Sequence, residues 1–298
     1  KGLIKFSKLI QVGNPDLVIL FGDRFEIFSF AITSYFNNIP IIHIGGGDVS
    51  YGSIDEGLRH SISKLSYKHF VSNSLSKKRL LQLGENINNI HNVGSLSIEN
   101  INKIKLMDKN SLEKNLKFKF LKTNLLISLH PSTIDNSYTM IEINELIYAL
   151  NHFKDSLIIF TYPNADSGFS IIVKKINQFL KSNKNVHCFK SLGQTRYFSL
   201  MKYCDCIIGN SSSAILEAPS FDIGIVNIGK RQDGRLKSKN VIDCEPNNHK
   251  IIKSIKKSLK MNNKVKNPYY KTNTSDKIIS NLLKIKYPIN LKKKFYDI

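Results

Sequence analysis

Cys206-Ile-Ile-Gly-Asn-Ser-Ser-Ser-Ala-Ile-Leu-Glu217 is the stretch on which the reading of this chain turns. An apolar run too brief for a helix passes through Gly209 into Asn210-Ser211-Ser212-Ser213, and a segment of helical period carrying Glu217 follows. This is a buried strand feeding directly into a helix start. A helix N-terminus offers free backbone N–H groups and positive dipole potential, and adjacent serine hydroxyls add donors, so the junction suits a diphosphate. Glu217, about a turn and a half further on, is placed to accept hydrogen bonds from ribose hydroxyls. Serines that merely cap the helix would read the same way.

The same alternation extends in both directions. Asn124-Leu-Leu-Ile-Ser-Leu129, Leu157-Ile-Ile-Phe-Thr161, Val186-His-Cys-Phe189 and Gly224-Ile-Val-Asn227 read as further strands, with helices over 140–153, 169–180, 194–203, 212–218 and 248–261. Upstream, Asp16-Leu-Val-Ile-Leu-Phe21, Pro40-Ile-Ile-His-Ile44, His69-Phe-Val-Ser72 and Ile90-His-Asn-Val-Gly94 read as strands, with helices over 24–37 and 76–83. Ser53-Ile-Asp-Glu56 has the spacing of a capping box, opening a helix whose apolar stripe is Ile54, Leu58, Ile62 and Leu65. Short β-rich runs alternating with helices specify an α/β chain of βαβ units on parallel sheets. The polar, lysine-rich stretch over 100–119 marks a boundary between two Rossmann-like halves, giving domains 1–118 and 119–275 and a C-terminal segment 276–298 that returns to the first. The first half has few strands for a mononucleotide-binding half, so its opening βα units are expected upstream of Lys1.

The chain has 298 residues with 41% hydrophobic content, enough for real cores. Forty-four Lys and Arg against 23 Asp and Glu give a net charge of +21. The excess is mostly lysine spread along the whole chain, beside abundant Asn and Ile, and no basic stripe with interleaved aromatics appears. Base composition of the coding sequence accounts for that better than nucleic-acid binding does. No apolar run reaches the 18 or so residues that cross a bilayer, and the N-terminus lacks a signal peptide's apolar centre, so a cytoplasmic protein without a membrane partner is expected. Cys188, Cys204, Cys206 and Cys244 suggest neither a disulfide framework nor a zinc site; buried thiols are the reading.

Other chemistry-bearing residues sit at strand C-termini, where ligands bind in such sheets. Asp23-Arg24 follows the first strand, and a structural ion pair there is the plain alternative. Asp55 and Arg59 lie one helical turn apart, as an acid/base group with its partner or as a simple i,i+4 salt bridge. His130-Pro131 ends a strand, and an imidazole there can move a proton or bind phosphate. Tyr162-Pro-Asn-Ala-Asp-Ser-Gly168 ends another with polar turn residues. Asn227-Ile-Gly-Lys-Arg-Gln-Asp-Gly-Arg235 adds three cations and two glycines, a loop suited to a pyrophosphate or uridine.

In order, Phe21-Gly-Asp-Arg-Phe25, His43-Ile-x-Gly-Gly47, Ile54-Asp-Glu-x-x-Arg-His60, Leu129-His-Pro131, Pro163-Asn164, Ile208-Gly-Asn-Ser-Ser212 and Asn227-Ile-Gly-x-Arg-Gln-x-Gly-Arg235 resemble the hydrolysing UDP-N-acetylglucosamine 2-epimerases of sialic-acid-type sugar biosynthesis. The resemblance spans about 16–235. It implies a GT-B fold, two Rossmann-like domains facing a cleft that holds the nucleotide, and a homodimer or homotetramer. It implies expulsion of UDP by elimination across C1–C2 to a glycal, then addition of water to release an N-acetylmannosamine-type sugar. A homologue acting on the UDP-linked 2,4-diacetamido-trideoxy sugar that leads to legionaminic acid shares every motif. So does a UDP-sugar-binding protein without turnover. Carried over residue by residue, Asp23 and Asp55 are acid/base carboxylates, Arg59 orients them or binds phosphate, and His130 joins them. Arg24, His130, Asn164, Ser211, Ser212, Glu217 and Arg231 bind UDP. Neither a metal nor a separate cofactor is implied. Where many relatives carry an acidic residue or a histidine this chain has Gly45, with Asp48 the nearby carboxylate available in its place.

Overall fold

The computed structural model describes residues 1–132, 136–164, 166 and 168–297. Ala165 and Ser167 of the polar turn after the 157–161 strand, and Ile298 of the returning segment, lie outside the described residues. The chain divides into two compact units, 1–50 with 54–99 and 269–298, and 51–53 with 100–268.

The first unit runs α1 (Gly2–Gly13), β1 (Val18–Phe21), α2 (Phe25–Phe36), β2 (Ile41–Ile44), α3 (Asp55–Leu65), β3 (Lys68–Val71), α4 (Ser74–Gln82), β4 (Ile90–Asn92) and the start of α5 (Leu96–Lys103). Its four strands form a parallel sheet in the order β1-β2-β3-β4. β2 is buried on both faces, which is why Ile41, Ile42 and Ile44 form a nearly unbroken apolar run. β1 alternates buried Val18 and Leu20 with exposed Ile19 and Phe21. One face of the sheet packs Val18, Leu20 and Ile41 against Ala31 of α2 and Ile62 of α3.

The second unit runs α6 (Lys109–Leu116), β5 (Asn124–Ser128), α7 (Asn136–Leu150), β6 (Leu157–Thr161), α8 (Phe169–Lys181), β7 (Val186–Phe189), α9 (Gly193–Tyr203), β8 (Cys206–Gly209), α10 (Ser212–Leu216), β9 (Gly224–Ile228), β10 (Val241–Cys244) and α11 (Asn248–Ser258). Six parallel strands take the order β7-β6-β5-β8-β9-β10, the doubly wound arrangement whose strand order reverses between β5 and β8. Leu125, Ile127, Ile208 and Val226 of the sheet bury themselves against Ile143 and Leu146 of α7, Ile172 and Ile176 of α8 and Ile251 and Ile255 of α11, each worth about 1.5–3 kcal/mol. β10, half-exposed at the sheet edge, carries no clear strand signal in the sequence.

After α11 the chain rejoins the first unit through α12 (Thr274–Leu282), whose Ile278 packs with Ile42, Ile44, Phe70 and Val93 on the opposite face of the first sheet. The unit borders fall at 99/100 and 268/269, where the sequence suggests 118/119 and 275/276. The stretch 100–118 goes with the second unit because Leu112 and Leu116 are buried and Phe118 stacks with Phe120, His187 and Phe189. Met107 N–H also donates to the Ser199 hydroxyl of α9 at 2.9 Å. Tyr269 joins the first unit because its side chain is fully buried and its carbonyl accepts from Ser95 N–H at 3.0 Å. The four cysteines are unpaired, Cys204 and Cys206 fully within the core. Among the described residues no helix is long and apolar enough to cross a membrane.

Candidate active site

In the first unit the site is built around Arg59, which is 1% exposed. Its Nε donates to Asp23 Oδ2 at 2.7 Å and Nη2 lies 2.6 Å from the same oxygen. Nη1 donates to Glu56 Oε2 at 2.8 Å and to the Asp48 carbonyl at 3.0 Å, and Nη2 also donates to the Ser50 hydroxyl at 2.9 Å. A buried guanidinium is tolerable only when paired and hydrogen-bonded, and here every nitrogen is engaged. The sequence offers an Asp55–Arg59 salt bridge; the guanidinium is instead taken up by Asp23 and Glu56. Asp55 stands half-buried in the first turn of α3, beside Glu56, where the helix dipole favours negative charge.

Glu56 departs from the capping box. The residue at the helix N-cap is Ile54, which makes no side-chain cap and is 64% exposed, outside the apolar stripe expected for it. The Glu56 carboxylate turns to Ser50 N–H, to Arg59 and to His60 Nε2 at 2.9 Å. Burial alone would raise its pKa; hydrogen bonds from His60 and Ser50, with the charge of Arg59, hold it below the usual range. The demand of a buried cation for a second carboxylate draws Glu56 towards Arg59.

The turn bearing Asp23 is pinned by a residue that sequence reasoning missed. His43 of β2 is fully buried, with Nε2 3.0 Å from the Gly22 carbonyl and Nδ1 3.0 Å from the Ser63 hydroxyl of α3. A carbonyl can only accept, so Nε2 carries the proton and Nδ1 accepts from Ser63. Burial lowers the His43 pKa to about 4, keeping the ring neutral. Gly22 has φ of +96°, a left-handed geometry glycine adopts without strain. Arg24 stands at the N-cap position of α2 without a side-chain cap, its guanidinium 3.5 Å from Glu26 and over the Phe25 ring. Near Gly45, itself at φ of +93°, Asp48 is buried with Oδ1 4.0 Å from Arg79 Nη1.

In the second unit the carboxyl ends of β5 and β8 meet at the reversal of strand order. Gly209, at φ of +141°, is required there: a Cβ would lie 2.0 Å from the Ser128 carbonyl oxygen. Ser211 is the N-cap of α10 and its hydroxyl accepts from Ser213 N–H at 3.3 Å. Ser128, His130, Thr161, Tyr197, Ser211, Ser212 and Glu217 line one cavity of about 420 Å³. His130 Nδ1 accepts from Asn164 N–H at 3.2 Å, leaving Nε2 to carry the ring proton. Arg231 Nη1 and Gln232 Nε2 donate to the Asn210 carbonyl at 3.2 and 2.8 Å. Beneath them lies Glu142 of α7, 2% exposed, with Oε2 3.4 Å from Asn210 Nδ2. Burial pushes its pKa up to about 8, the charge of Arg231 offsetting part of the rise. Neither Glu142 nor Gln232 carries a signal that spacing alone would single out.

The expected site residues thus form two sets. Asp23 and Arg59 are in direct contact, with Asp55 one helical turn from Arg59 and Arg24 adjacent in sequence to Asp23. His130, Ser211, Ser212 and Glu217 share a cavity, to which Asn164 and Arg231 are tied through His130 and Asn210.

The family model for UDP-N-acetylglucosamine 2-epimerase matches residues 1–283. The GDP/UDP-N,N'-diacetylbacillosamine 2-epimerase (hydrolyzing) of Campylobacter jejuni is 42% identical over 81% of this chain and 63% of its own length. A polysialic acid biosynthesis protein of Escherichia coli is 38% identical over 99% of this chain and 77% of its own. The chain therefore spans less than two thirds of the first relative and about three quarters of the second. The crystal structure of the Neisseria meningitidis UDP-GlcNAc 2-epimerase bound to UDP-GlcNAc superposes with a TM-score of 0.82 at 20% identity, covering 95% of this chain and 80% of that one. A match along nearly the whole chain, on a shared two-unit α/β fold, means that this chain belongs to the UDP-N-acetylglucosamine 2-epimerase family.

Proposed function

We propose that the chain acts as a hydrolysing 2-epimerase on a UDP-linked 2-acetamido sugar. The observation that carries this is the Asp23 carboxylate clamped by a fully buried Arg59, in a chain whose other unit offers serine hydroxyls, a helix start, His130 and Glu217 around one cavity. A clamped carboxylate with a fixed orientation suits proton transfer. Ser211, Ser212, His130 and Arg231 supply donors to the diphosphate, Glu217 accepts from the ribose, and Asn164 and Arg24 complete the UDP contacts.

The reaction balances without an oxidant or metal step. One carboxylate of the Asp23 and Asp55 pair takes the C2 proton as the C1–O bond breaks, and the electron pair leaves with UDP, whose charge the cations and the α10 dipole stabilise. Water then adds across the glycal: its hydroxyl goes to C1, and a proton returns to C2 on the opposite face. Arg59, with no nitrogen to spare, orients Asp23 rather than binding phosphate.

Of the two substrates that share the motifs, the identity to the Campylobacter jejuni enzyme favours the UDP-linked 2,4-diacetamido sugar over UDP-N-acetylglucosamine. The product would then feed legionaminic-type rather than sialic-type sugar synthesis. Incubating the protein with each UDP-sugar, and measuring released UDP together with the C2 configuration of the free sugar, tests both points. Release of UDP and a C2-inverted sugar from one of them is expected; UDP binding without release from either would leave a binding protein instead.

A further inference from the structure

The C-terminal tail after α12 crosses the surface of the first unit and inserts one side chain into the end of the helix that carries Asp55, Glu56 and Arg59. Lys293 Nζ donates to the carbonyls of Lys64 and Ser66, both at 2.8 Å, and reaches that of Ser63 at 3.4 Å. These carbonyls close the C-terminal end of α3, where the Ser63 carbonyl also accepts from Ser66 N–H and the Ile62 carbonyl accepts from the Ser66 hydroxyl at 2.7 Å. A cation at this end also opposes the negative pole of the helix. The ammonium is paired with Glu85, 1% exposed, at 2.5 Å, and the same carboxylate oxygen is 2.9 Å from His69 Nε2. Burial would raise the Glu85 pKa, but the bonds from His69 and Lys293 hold it low; burial lowers those of Lys293 and His69.

Neighbouring tail residues confirm a built seat. Tyr296 N–H donates to the Gly84 carbonyl at 2.9 Å, and Gly84 lacks a Cβ that would stand 2.5 Å from the Phe295 ring. Lys64 Nζ lies 4.7 Å from the centre of that ring and 3.2 Å from Glu85 Oε1.

From this end of α3 a continuous path leads to the acid/base group. Ser63, whose carbonyl faces Lys293, gives its hydroxyl to His43; His43 holds the Gly22 carbonyl; and Asp23 follows Gly22 and meets Arg59, one turn before Ser63 on the same helix. We propose that Lys293 is a positioning residue for the Asp23–Arg59 pair, closing the C-terminal end of α3 and so fixing Ser63, His43 and Arg59 together. The consequence for turnover rests on the 2-epimerase reading; the consequence for the helix does not.

Lys293→Met keeps the length of the stem and removes the ammonium, and Lys294→Met removes the same charge one residue away. Amide hydrogen exchange over 59–67 should accelerate in Lys293→Met and stay at the parental rate in Lys294→Met. On a UDP-sugar that the parent turns over, kcat should fall roughly ten-fold or more in Lys293→Met with KM and UDP affinity within about two-fold. Should that variant not fold, Lys293→Arg, whose planar fork cannot meet three convergent carbonyls as a compact ammonium does, takes its place with the same readings. Unchanged exchange over 59–67, identical behaviour of the 293 and 294 variants, or normal kcat per folded molecule with lost stability alone would each overturn the proposal. A parent that releases no UDP would overturn the proposed function instead, and the exchange measurement would still decide the role of Lys293.

Discussion

Asn210 and His130 bind each other twice across the reversal point of the second sheet: Asn210 Oδ1 accepts from the His130 backbone N–H at 2.7 Å, and Asn210 Nδ2 donates to the His130 carbonyl at 2.9 Å. Asn210 is fully buried, so no water can replace it without rearrangement. Asn210→Ala should cost about 2–4 kcal/mol, since it orphans the His130 backbone groups just past β5 as well as removing the amide. Urea unfolding measures this; a loss under about 0.5 kcal/mol would mean the pair is incidental.

The serines of α10 give a direct test of the nucleotide half-site. Replacing Ser211 and Ser212 together by Ala should weaken UDP binding by about 1–3 kcal/mol through lost charge-assisted hydrogen bonds. Calorimetric titration with UDP is the measurement, and unchanged affinity in a folded double variant would rule the assignment out.

Asp23 and Asp55 should separate in their effects. Asp23→Asn leaves a buried guanidinium short of charge, so it should destabilise the protein by about 3–5 kcal/mol as well as stop turnover. Asp55→Asn should cut turnover by roughly 10²–10⁴ with little change in melting temperature, because Arg59 is already held by Asp23 and Glu56. Comparable destabilisation by the two variants would show that Asp55 is structural.

Glu142 should make stability and, on the proposed function, UDP binding depend on pH. Its pKa is raised in the folded state, so the folded protein holds this proton more tightly than the unfolded chain does. The stabilisation is complete below about 4.5 and is lost as pH rises through about 8. Ionisation also places a negative charge beside Asn210 and Arg231, so UDP affinity should drop above pH 8. Glu142→Gln should flatten both profiles between pH 6 and 9; parallel curves for variant and parent would exclude Glu142 as the titrating group.

Most strands of the second unit follow from information local to the chain, whereas their order in the sheet belongs to the tertiary structure. Cys206–Gly209 is apolar throughout because both faces are covered, Gly209 announces the close approach to Ser128, and Ser211 marks the helix start. Such signals survive in sequence because each depends on a residue and its immediate neighbours. The helices over 96–116 escaped because few apolar residues mark their buried faces, and β10 because an edge strand buries too little to need a continuous apolar run.

By itself the sequence determined the α/β class, the parallel strands, the strand-end motifs and, through their order, the family. Only the tertiary structure decided which partners the charged groups take. Ser53 and Glu56 have capping-box spacing, yet the demand of buried Arg59 for a second carboxylate turned Glu56 inward. Arg59 and Asp55 have salt-bridge spacing, yet Asp23 from a different strand end was the partner that burial selected. Lys293 lies in the lysine-rich tail Leu291-Lys292-Lys293-Lys294, where nothing in its spacing marks a partner, and it reaches a helix far earlier in the chain through three carbonyls. Spacing ranks neighbours along the chain, whereas the cost of leaving a buried charge unpaired ranks neighbours in space, and at this site the second ranking prevailed.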